Sequence, residues 1–137
     1  MNTNFIYKAG GLLIRDKKLL LNKQGGSEVY IVPGGQIEAG ETPEQALVRE
    51  MDEEFQIKVS SDCLEEIGSF DTPAVHHPGK MVRITTFLVS DWEGEIKSGN
   101  EIEGVVWVNS DGAKRIKVSP FTQNVVIPLL LERGLID

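Results

Sequence analysis

The feature that most restricts the fold is a two-faced helical segment that begins near Thr42. Thr42 can cap a helix, Pro43 fits its first turn, and Gln45 follows at the spacing of a capping box. At roughly 100° per residue, one side of this helix collects the apolar residues Leu47, Val48, Met51 and Phe55. The segment is therefore predicted to form a helix that packs one face in a core.

Another side of the same segment gathers negative charge. Glu50, Glu53 and Glu54 lie roughly 120° round from the apolar side. Like charges three or four residues apart on a helix repel each other by a few tenths of a kcal/mol. An acidic helix face is most often only solvated, so the residues before the helix decide how this face is interpreted.

Two consecutive glycines after Pro33 favour a functional interpretation. Gly34 and Gly35 permit positive φ and let the backbone approach a ligand closely, so both are predicted to bind substrate. Glu38, also assigned to the substrate site, and Glu41 bring further oxygens to the helix entrance. Oxygen-only clusters suit hard cations such as Mg²⁺ or Mn²⁺. We therefore expect a divalent metal at the acidic face.

The remaining sequence is richer in strands than in helices. "FIYKAGGLLI" and "LLLNK" are predicted to form a hairpin with Asp16 in its turn. "VYIV" is predicted to be a short strand that runs into the glycines, and "LEEIGSF", "MVRITTFLVSDW" and "GVVWVNS" are further predicted strands. The predicted strands thus lie on both sides of the acidic helix in sequence.

A second main helix is predicted at the C-terminal end. Ser119 and Pro120 mark its start, the pattern continues to Gly134, and Pro128 should kink or divide it. With 137 residues, the chain suits one domain over residues 1–137. The predicted fold class is α/β (α+β), with a mixed β-sheet sandwiched between two main helices.

Charge and hydropathy exclude several classes of partner. The formal net charge is −7, and no stretch gathers Lys or Arg into the stripe that a nucleic acid polymer requires. No apolar run approaches the roughly 20 residues of a membrane span. The N-terminus lacks the features of a signal peptide, so we expect a cytoplasmic protein. A small anionic substrate is compatible with this negative charge if cations lie between the substrate and the carboxylates.

The segment from Gly35 to Ile57 resembles the Nudix box. It matches that pattern at Gly35, Glu41, Arg49, Glu50, Met51, Glu53, Glu54 and Ile57. Gln56 departs from it, because the family has glycine there. Such a long pattern is far more specific than a lone glycine motif. The hairpin before the box, "VPGG", and "EIEGVVW" after "WEGE" also resemble MutT-like members, so the likeness extends over most of the chain.

The resemblance implies an enzyme and a set of roles. Nudix hydrolases mostly cut a phosphoanhydride bond in a nucleoside diphosphate linked to another moiety, with Mg²⁺ or Mn²⁺. By position, Glu50 and Glu54 would be metal ligands, and Glu53 a further ligand or the base that orients water. Arg49 and Glu41 would be structural, with the arginine steering carboxylates through its fixed fork.

Four residues outside this core set have roles that the resemblance implies less sharply. Glu101 resembles a further metal ligand or base of MutT-like members, and Glu103 competes with it for that role. Lys23 follows the second strand, where relatives often place a basic residue near phosphates. The spacing of Pro73 from the box resembles that of ADP-ribose hydrolases. Nudix enzymes are often homodimers, so a homodimer is possible here.

The departure at Gln56 leaves an alternative open. A left-handed conformation costs a non-glycine residue roughly 1 kcal/mol, and a strained helix end could displace the carboxylates. The chain could then be a catalytically silent Nudix-fold module that binds a nucleotide as a sensor. Glu50, Glu53 and Glu54 are all present and favour the enzyme.

Overall fold

In the computed structural model, which describes residues 4–97 and 102–137, the chain opens with the predicted hairpin. β1 (Phe5–Arg15) and β2 (Lys18–Gln24) pair antiparallel. Asp16 and Lys17 connect them with positive φ angles of 53° and 62°. Two consecutive residues with positive φ form the tight turn whose twist matches that of paired strands. The hairpin prediction is therefore confirmed.

The described strands form one mixed sheet. They are β1, β2, β3 (Gly34–Gln36), β4 (Leu64–Pro73), β5 (Met81–Val89) and β6 (Ile102–Val108). The strand order is β4-β5-β1-β2-β6, and β3 pairs separately with β1. β5 runs parallel to β1, whereas the other pairs are antiparallel. The predicted mixed sheet is thus confirmed.

The prediction of a strand at "VYIV" is wrong. Tyr30 and Ile31 make only isolated bridges, to Val118 and to Asn22 respectively. Each of these pairings is a single bridge, so the segment forms no ladder with either partner. The strand lies instead at the glycines themselves, where β3 pairs with Lys8 and its neighbours in β1.

The sheet separates two apolar cores, as its alternation of side chains requires. One core lies under α1 (Pro43–Phe55) and includes Ala9 and Leu13 of β1. The other lies under the C-terminal helix and includes Leu12 of β1. This is the predicted arrangement of a sheet between two main helices. Two short helical turns, at Ser61–Cys63 and at α2 (Ser110–Ala113), complete the described elements.

The C-terminal helix follows Ser119 and is divided before Pro128. It opens with a π-helical segment (Thr122–Val126) and continues as α3 (Ile127–Glu132). Pro128 lacks an N–H, and its ring would clash with the carbonyl one turn earlier, so a widened turn before it relieves the clash. The predicted division is confirmed. Among the described residues, every helix is too short or too polar to span a lipid bilayer.

Candidate active site

The start of α1 is fixed by a reciprocal pair of hydrogen bonds. The N–H of Gln45 donates to Thr42 Oγ1 at 3.1 Å, and the N–H of Thr42 donates to Gln45 Oε1 at 2.9 Å. This is the predicted capping box, and Pro43 occupies the first turn. Just before it, the N–H of Glu38 donates to Glu41 Oε1 at 2.9 Å. These contacts between near neighbours in the chain help to order the helix entrance.

The end of α1 has the strain that its sequence predicts. Gln56 adopts the left-handed conformation, with φ 59° and ψ 34°, and its N–H caps the helix by donating to Asp52 O at 3.1 Å. Contacts from a distant segment support this turn. Lys58 and Glu93 exchange two backbone hydrogen bonds of 2.9 Å, and the N–H of Lys97 donates to Phe55 O at 3.0 Å. Tertiary contacts thus hold a turn that glycine would adopt without strain.

Arg49 connects the helix entrance to the acidic face of α1. Its Nε and Nη2 donate to the two carboxylate oxygens of Glu41 at 2.7 and 3.0 Å. Its Nη1 donates to Glu50 Oε1 at 2.9 Å and to Glu53 Oε2 at 3.3 Å. These bonds lower the pKa of Glu41 and raise that of Arg49, so both groups stay charged. The guanidinium sets the positions of three carboxylates.

Glu50 is the most enclosed carboxylate bound to Arg49, with a side chain only 14% exposed. Burial raises its pKa, and the negative charges of Glu54 and Glu53 act in the same direction, whereas Arg49 opposes them. The backbone of Gly35 packs directly against it. A Cβ at Gly35 would lie 2.3 to 2.7 Å from the Glu50 carboxylate. The close approach predicted for the glycine is therefore made to a carboxylate of the chain itself.

These groups line a cleft of about 550 Å³ that extends from the acidic face of α1 to the side of the sheet covered by the C-terminal helix. One wall carries the charged helix residues together with the glycine strand: Gly34, Gly35, Glu38, Arg49, Glu50, Glu53 and Glu54. Another part of the lining is apolar and includes Ile31, Val32, Val82, Ile84 and Phe121. The cleft thus has a charged half and an apolar half.

Several residues predicted for the site lie outside this cleft. Glu41 lies outside the lining and contacts it through Arg49 and through the N–H of Glu38. Lys23 also lies outside the lining, and its ammonium is 3.6 Å from Glu103. Glu103 in turn accepts from the N–H of Gly26 at 3.1 Å. Glu101 lies outside the described residues. The roles of Glu101 and Lys23 stay predictions.

The cleft also contains residues that the sequence analysis did not assign to the site. Lys8 of β1 lines it, as do Thr72, Ser119, Phe121 and the loop residue His76. Strand alternation could have placed Lys8 opposite Ala9. Nothing in the sequence alone tells which face of β1 borders a cleft, because that depends on where the C-terminal helix stops covering the sheet.

The acidic wall has the donor chemistry of a site for a hard divalent cation. Glu50, Glu53 and Glu54 offer only oxygen ligands, as Mg²⁺ and Mn²⁺ prefer. Within residues 4–97 and 102–137, no group of three acidic, His or Cys side chains already forms a metal cage. Arg49 holds two of these carboxylates near each other, since its Nη1 donates hydrogen bonds to Glu50 and Glu53. The carboxylate oxygens are the type of ligand that these cations prefer. Metal binding stays a prediction.

Comparisons with known proteins agree with this arrangement. A family profile described as NUDIX domain matches residues 5–129. The 8-oxo-dGTP diphosphatase of Haemophilus influenzae is 35% identical over 100 residues, which cover 73% of this chain and 69% of that protein. The ADP-ribose pyrophosphatase of Methanocaldococcus jannaschii is 32% identical over 94 residues, which cover 66% of this chain and 54% of that protein.

Solved structures confirm the fold. A MutT structure from work on Aliivibrio salmonicida and Vibrio cholerae has a TM-score of 0.73 to this chain at 22% identity. The superposition covers 94% of this chain and 98% of that one. The predicted family and fold class are both confirmed, since the matched residues contain the sheet, α1 and the glycine strand. This chain belongs to the NUDIX domain family and is a Nudix hydrolase.

Proposed function

We propose that this hydrolase cuts a phosphoanhydride bond in a nucleoside diphosphate linked to another moiety, with Mg²⁺ or Mn²⁺ as cofactor. One observation carries the proposal. Glu50, Glu53 and Glu54 line a single cleft beside the glycine strand, and that cleft continues into an apolar half. The charged half suits a diphosphate with its metal, and the apolar half suits a base.

The chain's own residues would bind and orient the reacting groups. Glu50 and Glu54 would hold the metal, with Glu50 kept in place by Arg49 and by its contact with Gly35. Glu53 has a side chain 57% exposed, so it is accessible to water and can serve as a further ligand or as the base. When bound, Mg²⁺ or Mn²⁺ neutralises the diphosphate and acidifies the attacking water. Water would attack phosphorus, and the bridging oxygen would leave with one half of the substrate.

The glycine strand would let the substrate come close to the acidic wall. Gly34 and Gly35 both line the cleft, where bulky side chains would fill the space between β1 and α1. Glu38 lies at the same edge, 3.7 Å from Arg49 Nη1, with its side chain 67% exposed. Its position at the cleft rim suits a contact with the part of the substrate that faces solvent.

A nucleoside triphosphate is one candidate substrate, and ADP-ribose or a similar nucleotide sugar is the other. The relative in Haemophilus influenzae is an 8-oxo-dGTP diphosphatase, which favours the triphosphate. Pro73 lines the cleft, and the relative in Methanocaldococcus jannaschii is an ADP-ribose pyrophosphatase, which favours ADP-ribose. A substrate panel decides between them. The cytoplasmic location and the homodimer remain predictions.

The panel incubates the protein and Mg²⁺ with nucleoside triphosphates including 8-oxo-dGTP, ADP-ribose, dinucleoside polyphosphates and NADH. Released phosphate, pyrophosphate and mononucleotide are measured. We expect turnover of at least one compound, abolished by removal of divalent cations. If no compound is cut and one of them raises the melting temperature, the sensor module is correct and the proposed hydrolysis is wrong.

Glu54→Gln tests the carboxylate wall directly. It replaces a charge by a neutral amide of the same shape, so turnover should fall by at least about 100-fold, because stabilisation by a bound metal is worth several kcal/mol. Asp52→Asn is the matched control on the same helix. Asp52 is exposed, pairs with Lys58 at 2.6 Å and lies outside the cleft lining. A wild-type rate for Glu54→Gln would remove Glu54 from the mechanism.

A further inference from the structure

Lys8 places a cation on the sheet side of the cleft, across from the carboxylates. It lies in β1 between Gln36 of β3 and Ile84 of β5, its partners in the two ladders. Its neighbour Ala9 is buried in the core under α1, so alternation directs Lys8 to the other face of the strand. Lys8, Gln36 and Ile84 all line the cleft.

This cation is half-buried and lacks a nearby counter-charge in the part of the chain that the structure describes. Over residues 4–97 and 102–137, no carboxylate oxygen lies within 4.0 Å of the Lys8 ammonium. Burial lowers the pKa of Lys8, and the negative charge of Glu50 acts in the opposite direction. A partly desolvated ammonium without a close anion lowers the stability of the fold. An anionic ligand in the cleft would remove that cost.

The charges around the cleft are divided between its walls. The carboxylates project from α1, whereas Lys8 projects from the sheet. Lys8 and His76 both line the cleft, and burial, followed by the charge of Lys8, lowers the pKa of His76. Arg49, by contrast, is already occupied by Glu41, Glu50 and Glu53.

We propose that Lys8 is a substrate-binding residue whose ammonium binds a phosphoryl oxygen of the substrate from the side opposite the carboxylates. The inference rests on the proposed function. It adds a direct protein contact to a diphosphate whose other side faces Glu50, Glu53 and Glu54. The substrate would lie between a cation supplied by β1 and the metal-binding wall supplied by α1.

The position of Lys8 favours phosphate over the base. Lys8 pairs with Gln36 of β3, and the residue before Gln36, Gly35, packs against the Glu50 carboxylate. Lys8 therefore lies where the charged half, on the side of Gln36, meets the apolar half, on the side of Ile84. An ammonium is a compact point charge with three donors, which suits phosphoryl oxygens better than a planar base edge. The alternative is that Lys8 binds the edge of the base, and the experiment must distinguish this contact from a contact with phosphate.

Calorimetric titration of wild type and Lys8→Met in MgCl₂ tests the contact. Inorganic pyrophosphate is the phosphate probe, and adenosine and guanosine are the base probes. A charged hydrogen bond is worth roughly 10- to 100-fold in affinity, so Lys8→Met should weaken pyrophosphate binding by that factor. Nucleoside binding should stay unchanged. Weakened nucleoside binding with unchanged pyrophosphate binding would assign Lys8 to the base and overturn the proposal.

Three further variants separate binding from folding. Lys18→Met is the matched control, because Lys18 is an exposed lysine of β2 outside the cleft lining. Lys8→Arg keeps the charge and should restore most of the lost affinity. Lys8→Met should melt at or above the wild-type temperature, since it removes a desolvated charge. If it does not fold, Lys8→Gln replaces it, and wild-type pyrophosphate affinity in Lys8→Gln would overturn the proposal.

Steady-state kinetics distinguish a failure of the Lys8 proposal from a failure of the proposed hydrolysis. With the substrate found in the panel, Lys8→Met should lower kcat/KM by roughly 10- to 100-fold, mainly through KM. An unchanged KM would contradict a binding role. If the wild type cuts nothing, the proposed hydrolysis fails, yet the pyrophosphate titration still decides whether Lys8 binds phosphate. A wild type that binds no pyrophosphate overturns the contact itself.

Discussion

The two faces of α1 differ in burial and in charge. On the inner face, Leu47, Met51 and Phe55 are at most 1% exposed and fill the core against the sheet. On the cleft face, Glu50 and Glu53 carry like charges within hydrogen-bonding distance of one guanidinium. The inner face stabilises the helix by burying apolar surface, whereas the cleft face gathers charges that repel each other.

The difference between the two faces indicates that stability and activity depend on separate residues of a single helix. Removing apolar volume from the inner face should unfold the protein without altering the chemistry of the molecules that remain folded. Moving a carboxylate on the cleft face should impair the chemistry with little effect on the fold. Variants of the two faces, ranked by the size of the expected effect, test this separation.

Met51→Ala should give the largest effect on stability. Met51 is fully buried, and truncating such a side chain leaves a cavity that costs about 2–5 kcal/mol of the free energy of unfolding. Urea unfolding measures this loss. At low temperature, turnover per folded molecule should stay close to the wild-type value. If kcat falls in proportion to the lost stability while the protein remains folded, the two faces are coupled and the separation is wrong.

Gly35→Ala should give an intermediate effect, and it should act on activity. The new Cβ would overlap the Glu50 carboxylate, which is the end of a flexible side chain and can move away. Such a displacement should reduce kcat by roughly 10- to 100-fold. Gly34→Ala is the contrasting variant. Gly34 has φ 152°, and its Cβ would lie 2.0 Å from the backbone oxygen of Ala9, so that variant should lose stability instead.

The two adjacent glycines would be distinguished by thermal melting together with steady-state kinetics. We expect Gly35→Ala to melt near the wild-type temperature and to turn over slowly. A Gly35→Ala enzyme with wild-type kcat would mean that the position of Glu50 is not critical. Equal destabilisation by both substitutions would show that Gly35 serves the fold rather than the site.

The sequence specified those parts of the fold that depend on local contacts. The cap at Thr42 and Gln45 and the turn at Asp16 involve neighbours in the chain, so their patterns were sufficient. "VYIV" was misassigned because Tyr30 and Ile31 are held by two distant partners, Val118 and Asn22. Pairing between remote segments leaves no signature in a short apolar run.

The same limit applies to the candidate site. The acidic face of α1 was visible because helical periodicity groups its residues in sequence. Lys8 was missed because its place in the cleft depends on the order of β1, β3 and β5 in the sheet and on where the C-terminal helix ends. Lys23, chosen by resemblance, lies outside the lining beside Glu103. Contacts within one helix can be inferred from periodicity, whereas contacts between strands require the topology.

Gln56→Gly should give the smallest effect, at the end of the helix that carries both faces. Gln56 is exposed and left-handed, so glycine relieves roughly 1–2 kcal/mol of strain but loses about 0.4–1 kcal/mol through the greater entropy of the unfolded chain. The free energy of unfolding should therefore rise by about 0.8 kcal/mol, within a range of roughly 0 to 1.6 kcal/mol. Turnover should stay unchanged, because Arg49 holds Glu50 and Glu53 through its own hydrogen bonds.

Asp16→Gly is the matched control for this change, since Asp16 has a similar φ of 53° in a turn far from the helix end in sequence. Aspartate tolerates the left-handed region better than glutamine does, so its gain should be smaller. Urea unfolding of both variants measures the difference. A loss of stability in Gln56→Gly would mean that the glutamine side chain, rather than the segment that pairs Lys58 with Glu93, holds the end of α1. A change in kcat would mean that strain at this turn reaches Glu53 and Glu54, which would couple the stability of the helix end to the chemistry of the cleft.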